Sequence, residues 1–286
     1  KSNLGNLQSS VNWLTVDERF KRAMALYDSA IQSAEEPEFR ALLKDNIAGR
    51  LAQAADFGIS ESRRKALEMS MSAAEELEKI GATSRLPVVL ANVVGHLHNL
   101  DRDVSTRRED LKKAKDISQK LMPMIDGPAG EALDSRLRSQ IRRLVADVLV
   151  RSTQYEPQQK DEFAREALRL TNTDSPEDDH RKVDSAYTIA KALEAMGDFT
   201  AALERVDTIL VEITSTQDHP EFHSEVLAAR CRLLQECRGR GDHEIIEAAL
   251  LSAEFAQRAG LISDWISAEA DLLQQRAFAR ASDKFA

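Results

Sequence analysis

The stretch YTIAKALEAMGDFTAAL, residues 187–203, decides the fold class of this chain. After its glycine, apolar residues recur at steps of three and four, as in Phe199, Ala202 and Val206. That spacing places them on one face of a helix. Gly197 interrupts the apolar run, and glycine is the commonest residue where a helix ends in a left-handed conformation. The stretch therefore predicts two antiparallel helices joined by a tight turn.

The same apolar spacing continues through nearly the whole chain. Proline precedes several amphipathic runs, where its missing N–H is tolerated in the first helical turn, and glycine follows several others. With only 11 glycines and 7 prolines, the chain has few of the turn residues that an all-β protein needs. We predict an all-α fold of about twelve helices, over residues 17–34, 37–56, 60–80, 84–100, 104–125, 129–155, 157–171, 176–196, 199–216, 220–239, 243–259 and 262–282.

The turns within successive helix pairs recur at a regular interval. They fall near Gly58, Asp101, Glu156, Gly197 and Gly241, which are 43, 55, 41 and 44 residues apart. A period of about 40–45 residues is typical of stacked helical hairpins, and short connections make neighbouring helices antiparallel. We therefore predict one α-solenoid domain over residues 1–286.

Two segments depart from this regularity. Residues 1–15 are predicted to form an irregular N-terminal segment, and the longest interval contains a proline- and glycine-containing stretch that predicts a hinge near residues 122–128. The chain begins at Lys1 rather than at methionine. We therefore expect it to be part of a larger regulatory protein.

The hairpin at residues 187–203 resembles a tetratricopeptide repeat (TPR). In that family a small residue in the first helix lets the second helix pack closely, and Ala190 stands at this place. Gly197, Asp198 and Phe199 match the tight turn, and Ala202 matches the small residue where the two helices cross. The resemblance implies a TPR-like right-handed superhelix whose concave groove is lined by the first helix of each pair. It also implies that the chain binds a peptide or another protein.

Composition excludes several classes of protein. A net charge of −9 disfavours direct binding to nucleic acid, which needs a surplus of basic residues. No apolar run approaches the ~20 residues that cross a bilayer, so no membrane partner is expected. Cys231 and Cys237 lie six positions apart in one predicted helix and point in different directions. We interpret them as reduced thiols of a cytoplasmic protein.

No motif predicts a catalytic, cofactor or metal site. The sequence has no glycine-rich phosphate loop and no nucleophile elbow. Glu177 and His180 form a single Glu-x-x-His, whereas a di-iron bundle needs two. His219 and His223 have the spacing of a helical metal pair, but Pro220 starts the helix after His219 and no third ligand is near. An all-α enzyme remains the remote alternative.

Arginines give the chain its candidate partner-binding surface. They cluster in the predicted helices 129–155 and 220–239, both of which would line the groove, and could select an acidic peptide through charge-assisted contacts. The alternative is a solvated face neutralised by Asp134, Asp147 or Glu236. Helical spacing places Arg138 and Arg142 on this surface, and the TPR register adds four more. The predicted partner-binding residues are Arg138, Arg142, Tyr187, Lys191, Gln235 and Arg238.

These observations favour a protein–protein interaction or scaffold module that holds a peptide or protein partner in a concave groove. The alternative is a helical sensor domain of a transcriptional or signalling regulator that binds a small peptide or metabolite. Either reading predicts a binding protein rather than an enzyme, with no cofactor.

Overall fold

The structure is a computed structural model that describes residues 15–55, 61–100, 104–172, 179–213, 220–238 and 242–282. Within these residues it contains thirteen α-helices, one short 3-10 helix at Pro157–Gln159 and no strand, so the all-α prediction is confirmed. The helices are α1 Val16–Gln32, α2 Pro37–Ala55, α3 Glu61–Lys79, α4 Leu86–His98, α5 Val104–Ile125, α6 Pro128–Glu131, α7 Ser135–Ser152, α8 Lys160–Asn172, α9 Asp179–Met196, α10 Phe199–Ile213, α11 Pro220–Arg238, α12 His243–Ala259 and α13 Ile262–Ser282.

Glycine terminates the helices as its spacing predicts. Gly81, Gly197 and Gly260 all have positive φ, at 69°, 83° and 74°. At Gly197 the glycine N–H donates to the Glu194 carbonyl and the Asp198 N–H donates to the Leu193 carbonyl, both at 3.0 Å. These two bonds satisfy carbonyls that the end of a helix leaves without partners, which is the Schellman arrangement. The predicted turns at Gly58, Asp101 and Gly241 lie outside the described residues.

The predicted helix over residues 129–155 is wrong as a single element. It is two helices, α6 and α7, separated at Asp134. The Asp134 carboxylate accepts the main-chain N–H of Leu137 at 2.7 Å, and its carbonyl accepts that of Arg138 at 3.1 Å. Because an N-cap residue has a non-helical backbone, this cap starts a new helix. The predicted hinge over 122–128 contains the end of α5 and the start of α6, and its motion stays a prediction.

Contacts along the chain separate two compact units, residues 1–148 and 149–286. In unit 1 each of the helices α2 to α5 packs against the next one along the chain, as hairpin stacking requires. Tyr27, Ile47 and Leu51 are buried in a core shared by α1 and α2, and Val93 and Val94 in one shared by α3, α4 and α5. A polar contact joins three helices, because the Asp45 carboxylate of α2 accepts Ser70 of α3 at 3.0 Å and Asn92 of α4 at 2.8 Å.

Unit 2 repeats the arrangement from α8 to α13, again with each helix packed against the next. One apolar core joins α9, α10 and α11 around Val206, Ile209 and Leu233. A second joins α11, α12 and α13 around Leu234, Ile245 and Leu272. Because α11 contributes to both cores, it connects the two hairpins that follow α8. The expectation of a single domain over residues 1–286 remains a prediction.

Candidate partner-binding surface

The hairpin of α9 and α10 sets the geometry of the predicted surface. Ala190 and Ala202 are 2% and 0% exposed and belong to one core, so the small residues lie where the two helices pack together. Asp198 follows the helix-ending glycine and caps α10, because its carboxylate accepts the Ala201 N–H at 3.2 Å. This turn determines which side of α9 faces away from α10.

Tyr187 of α9 is buried against α11 and does not lie on an open surface. It is 5% exposed, and its ring meets that of Phe222 edge-on at 5.4 Å between centroids. Its hydroxyl donates to the main-chain carbonyl of Glu225 at 3.4 Å. Burial, together with nearby carboxylates, raises the pKa of the Tyr187 phenol well above its usual range. The structure thus gives Tyr187 a packing role between α9 and α11, and direct contact with a partner stays a prediction.

Lys191 lies one turn further along α9. Its ammonium group is 4.8 Å from the centroid of the Tyr187 ring, a cation–π distance. On α11, Gln235 is half-buried and its amide nitrogen lies 3.8 Å from the Cys231 sulfur. Arg238 ends α11, and its side chain lies outside the described residues. Lys191 and Gln235 are therefore the two predicted residues of unit 2 whose side chains are described and only partly buried.

Arg138 and Arg142 belong to unit 1, where both lie on α7. The Arg142 guanidinium forms an ion pair with Asp126 at 2.8 Å, and its side chain is only 13% exposed. Arg138 is half-buried in the first turn of α7. Because these two arginines are in a different unit from Lys191 and Gln235, a groove shared by all of them stays a prediction.

The arginines of α11 are paired with carboxylates of neighbouring helices. Arg232 donates through two nitrogens to Glu194 of α9, at 2.7 and 3.1 Å, and the bond to Glu194 raises the pKa of Arg232 above its ordinary value. Arg230 lies 2.7 Å from Asp207 of α10 and 3.5 Å from Glu244 of α12. The charges of Arg230 and Arg232 on α11 are thus largely neutralised. The acidic partners in these pairs are not Asp134, Asp147 or Glu236, which the sequence had suggested.

A cavity of about 360 Å³ opens among α11, α12 and α13, the last three described helices of unit 2. We call it the α11–α13 cavity. From α11 it is lined by Ser224, Glu225, Ala228 and Cys231. From α12 it is lined by Ala249 and Ser252, and from α13 by Asp264, Ser267, Ala268 and Asp271. Its volume is within the range of about 300–1,000 Å³ typical of ligand pockets.

Six of the ten residues that line this cavity are acidic residues or serines, and the other four are three alanines and Cys231. Three carboxylates line it, those of Glu225, Asp264 and Asp271, and no described lysine or arginine does. Cys231, one of the lining residues, is 3% exposed, and burial raises the pKa of its thiol. The cavity can therefore accept hydrogen-bond donors or a positive charge, but it is not arranged for a nucleophilic thiolate.

No protein family and no curated protein matches this sequence. Among solved structures, a chain described as a kinesin light chain of Podosopora anserina with nearly identical TPR-like repeats is similar, at 13% identity and a TM-score of 0.52. The similarity covers 79% of this chain and 99% of that one. A variant of the same protein gives a TM-score of 0.53 at equal identity and coverage. The fold of this chain is TPR-like. The predicted α-solenoid of antiparallel hairpins is thereby confirmed.

The described part of the TPR-like stack contains no group of three histidine, cysteine or acidic side chains that could hold a metal ion. His219, Glu177 and the side chain of His180 lie outside the described residues. His223 packs against Phe255, with ring centroids 4.2 Å apart, and burial lowers the pKa of its imidazole. Among the described residues, no helix is long and apolar enough to cross a membrane.

The sequence interpretation did not predict the α11–α13 cavity, because it located the binding surface from clusters of arginine and not from faces of small residues. A signal for the cavity was present: α13 carries Asp264, Ser267, Ala268 and Asp271 at steps of three, one and three, which is one helix face without a large side chain. A helix face of this composition cannot fill the space beside it. Only the position of α11 opposite that face shows that the space is a cavity.

Proposed function

We propose that this chain is a protein-interaction module of a larger cytoplasmic regulatory protein, and that it binds a peptide or protein partner rather than catalysing a reaction. The observation that carries the proposal is the TPR-like stack of hairpins. Each of the helices α8 to α13 packs against its neighbours along the chain, which makes unit 2 a continuous stack of helices. Stacks of this kind form extended binding surfaces, because the repeated hairpins present equivalent side chains in a row.

Lys191 and Gln235 are the proposed contact residues of unit 2, together with Arg238. Arg138 and Arg142 are the proposed contact residues of unit 1. An acidic partner would have to compete with the carboxylates that already pair with Arg142 and Arg232. A pair between exposed side chains contributes only about 0.2–1 kcal/mol, so a partner can displace Glu194 from Arg232, whose side chain is 52% exposed. The Arg142 side chain is only 13% exposed, so that range does not apply to its pair with Asp126. Salt should weaken binding if charge contributes to it.

Site-specific cross-linking tests the proposal. A photoreactive amino acid is placed at Lys191 or Gln235, and at Arg205, an exposed residue of α10, as the control. After irradiation in cell extract, cross-linked proteins are identified by mass spectrometry. We expect the same partner at positions 191 and 235 and not at 205. Equal labelling at all three positions would contradict a defined binding surface.

The arginines of unit 1 are tested separately. Arg138→Ala and Arg142→Ala are combined, and the amount of the cross-linked partner that is captured is compared with the unchanged protein at low and high salt. Loss of capture at low salt, with helical content retained, supports a role for these arginines and an acidic partner. Unchanged capture would restrict the surface to unit 2.

A further inference from the structure

We propose that the α11–α13 cavity binds an arginine or lysine side chain of a partner protein, so that the module selects a basic segment at this end of the stack. The inference rests on the proposed function, because it names the chemistry of the partner that unit 2 would bind. It concerns residues other than Lys191 and Gln235, which allows the two ideas to fail separately.

The cavity exists because small side chains face one another across it. Ala228 of α11, Ala249 of α12 and Ala268 of α13 all line it, and none can reach across the space between the helices. Its neighbours in the same helices are large and fully buried, as Leu234 and Leu272 show. The packing is therefore complete behind the cavity and open within it. A side chain of several carbons with a polar end would fit such a space, since its stem can lie along the alanines.

Charge gives the cavity its preference. Glu225 lies on one side, on α11, and Asp264 and Asp271 lie on the other, on α13. Arg232 also attracts Glu225, but its direct ion pair is with Glu194, and Arg230 pairs with Asp207. No basic residue among those described lines the cavity to pair with Asp264 and Asp271. A positively charged guest would complement the cavity, whereas an acidic guest would meet like charges.

Two buried serines provide an independent reason to expect a ligand. Ser224 and Ser252 line the cavity and are 2% and 4% exposed, yet neither hydroxyl bonds to another described residue. Their oxygens are not among the fully enclosed polar atoms that lack a partner, so the hydroxyls open into the cavity, where a guest can bond to them. A guanidinium has five N–H donors in a planar fork, so one group can bond to these hydroxyls and a carboxylate together.

The arrangement favours an organic cation over a metal ion. A metal ion needs its ligands gathered around one point, and no three acidic, cysteine or histidine side chains among the described residues are placed that way. The carboxylates instead lie on opposite helices of a cavity of about 360 Å³. That separation suits a long side chain held between them.

The test measures binding of fluorescent peptide pools by anisotropy. The pools are short and randomised, and they differ only in two fixed central positions, which are both arginine, both glutamine or both glutamate. We expect the arginine pool to bind at least about tenfold more tightly than the glutamate pool at low salt, with the difference reduced at high salt. Equal binding of the three pools, or preference for glutamate, overturns the proposal.

Variants locate the binding. Combining Asp264→Asn with Asp271→Asn should weaken binding of the arginine pool about tenfold, and Ala228→Phe should abolish it by filling the cavity. The matched control combines Glu236→Gln with Glu247→Gln, which removes the same charge from exposed positions of α11 and α12 outside the cavity. It should change binding less than about twofold. Equal effects of the two double variants would show general charge attraction and overturn the proposal.

The cross-linking experiment separates this inference from the proposed function. If partner cross-links at positions 191 and 235 persist while no pool distinguishes arginine from glutamate, the cavity proposal fails and the interaction module stands. If the arginine pool binds in the cavity but positions 191 and 235 give no specific cross-link, the cavity proposal stands and the proposed surface on α9 and α11 is wrong. Circular dichroism of each variant confirms that its helices are intact.

Discussion

Replacing Ala202 with leucine tests the packing on which the TPR-like register depends. Ala202 is 0% exposed and lies in the core that α9, α10 and α11 share. Leucine adds three carbon atoms at this position, and the surrounding helices must move apart or adopt strained side-chain conformations to admit them. We therefore expect Ala202→Leu to reduce the stability of unit 2.

The size of the effect follows from the density of this core. Val206 and Ile209, on the same face of α10, are also 0% exposed, so a larger side chain on this face cannot turn out into solvent. Overpacking a core of this kind typically costs about 1–3 kcal/mol. For a unit of this size, that cost corresponds to a fall in the melting temperature of roughly 3–10 °C. Because a repeat protein is stabilised by neighbour contacts, the loss should be largest at α9, α10 and α11.

Urea unfolding measures the total loss, and hydrogen exchange shows where it occurs. The control is Ala277→Leu, the same change at an exposed position of α13, which should alter stability by less than about 0.5 kcal/mol. If Ala202→Leu and Ala277→Leu unfold at the same urea concentration, Ala202 is not at a close helix contact and the register is wrong.

Three further predictions concern single groups. Gly81→Ala should destabilise unit 1 by about 1–2 kcal/mol, because Gly81 has φ of 69°. Gly49→Ala, within helix α2, should stabilise unit 1 by about 0.5–1 kcal/mol, because alanine favours a helix more than glycine does. Neither added methyl group meets a neighbour within 4 Å, so urea unfolding must show effects of opposite sign. Maleimide should label the exposed Cys237 at least about tenfold faster than the buried Cys231, and equal rates by mass spectrometry would contradict the described burial. Burial raises the pKa of Glu76, but the contacts with Lys44 and Arg40 lower it by more, so the pKa of Glu76 lies below its ordinary value. The stability that Glu76 contributes should therefore be fully present at pH 7 and be lost progressively as the pH falls below about 4.5. Glu76→Gln should cost about 1 kcal/mol in urea unfolding at pH 7 and less at pH 3, and an equal cost at both pH values would refute this.

The opposite charges of the two surfaces carry a consequence for partner choice. Lys191 is a cation on α9, whereas the α11–α13 cavity is acidic. A single partner segment that spans both would need a basic residue for the cavity and an acidic or neutral residue near Lys191. Such a pattern would select the direction in which the segment lies, because reversing it would bring like charges together.

The sequence alone determined most of the helices, the turn at Gly197 and the class of fold. Apolar residues at steps of three and four specify a helix face locally, and glycine at Gly197 specifies a left-handed helix end, because each depends on neighbours within a few residues. The resemblance at residues 187–203 also indicated the close contact at Ala190 and Ala202. The break at Asp134 was missed because aspartate fits both a helix and a cap, and the choice depends on how the flanking segments pack.

The tertiary structure decided which charged and polar side chains remain available. Helical spacing placed Arg142 on the groove-lining surface, and the TPR register placed Tyr187 there. In the structure Arg142 forms an ion pair with Asp126, and Tyr187 is buried against Phe222. Helical periodicity gives the direction of a side chain relative to its own helix, and it does not say which residue of another helix lies opposite. The α11–α13 cavity likewise depends on tertiary packing, because its volume and its charge arise from three helix faces that meet only when the chain is folded.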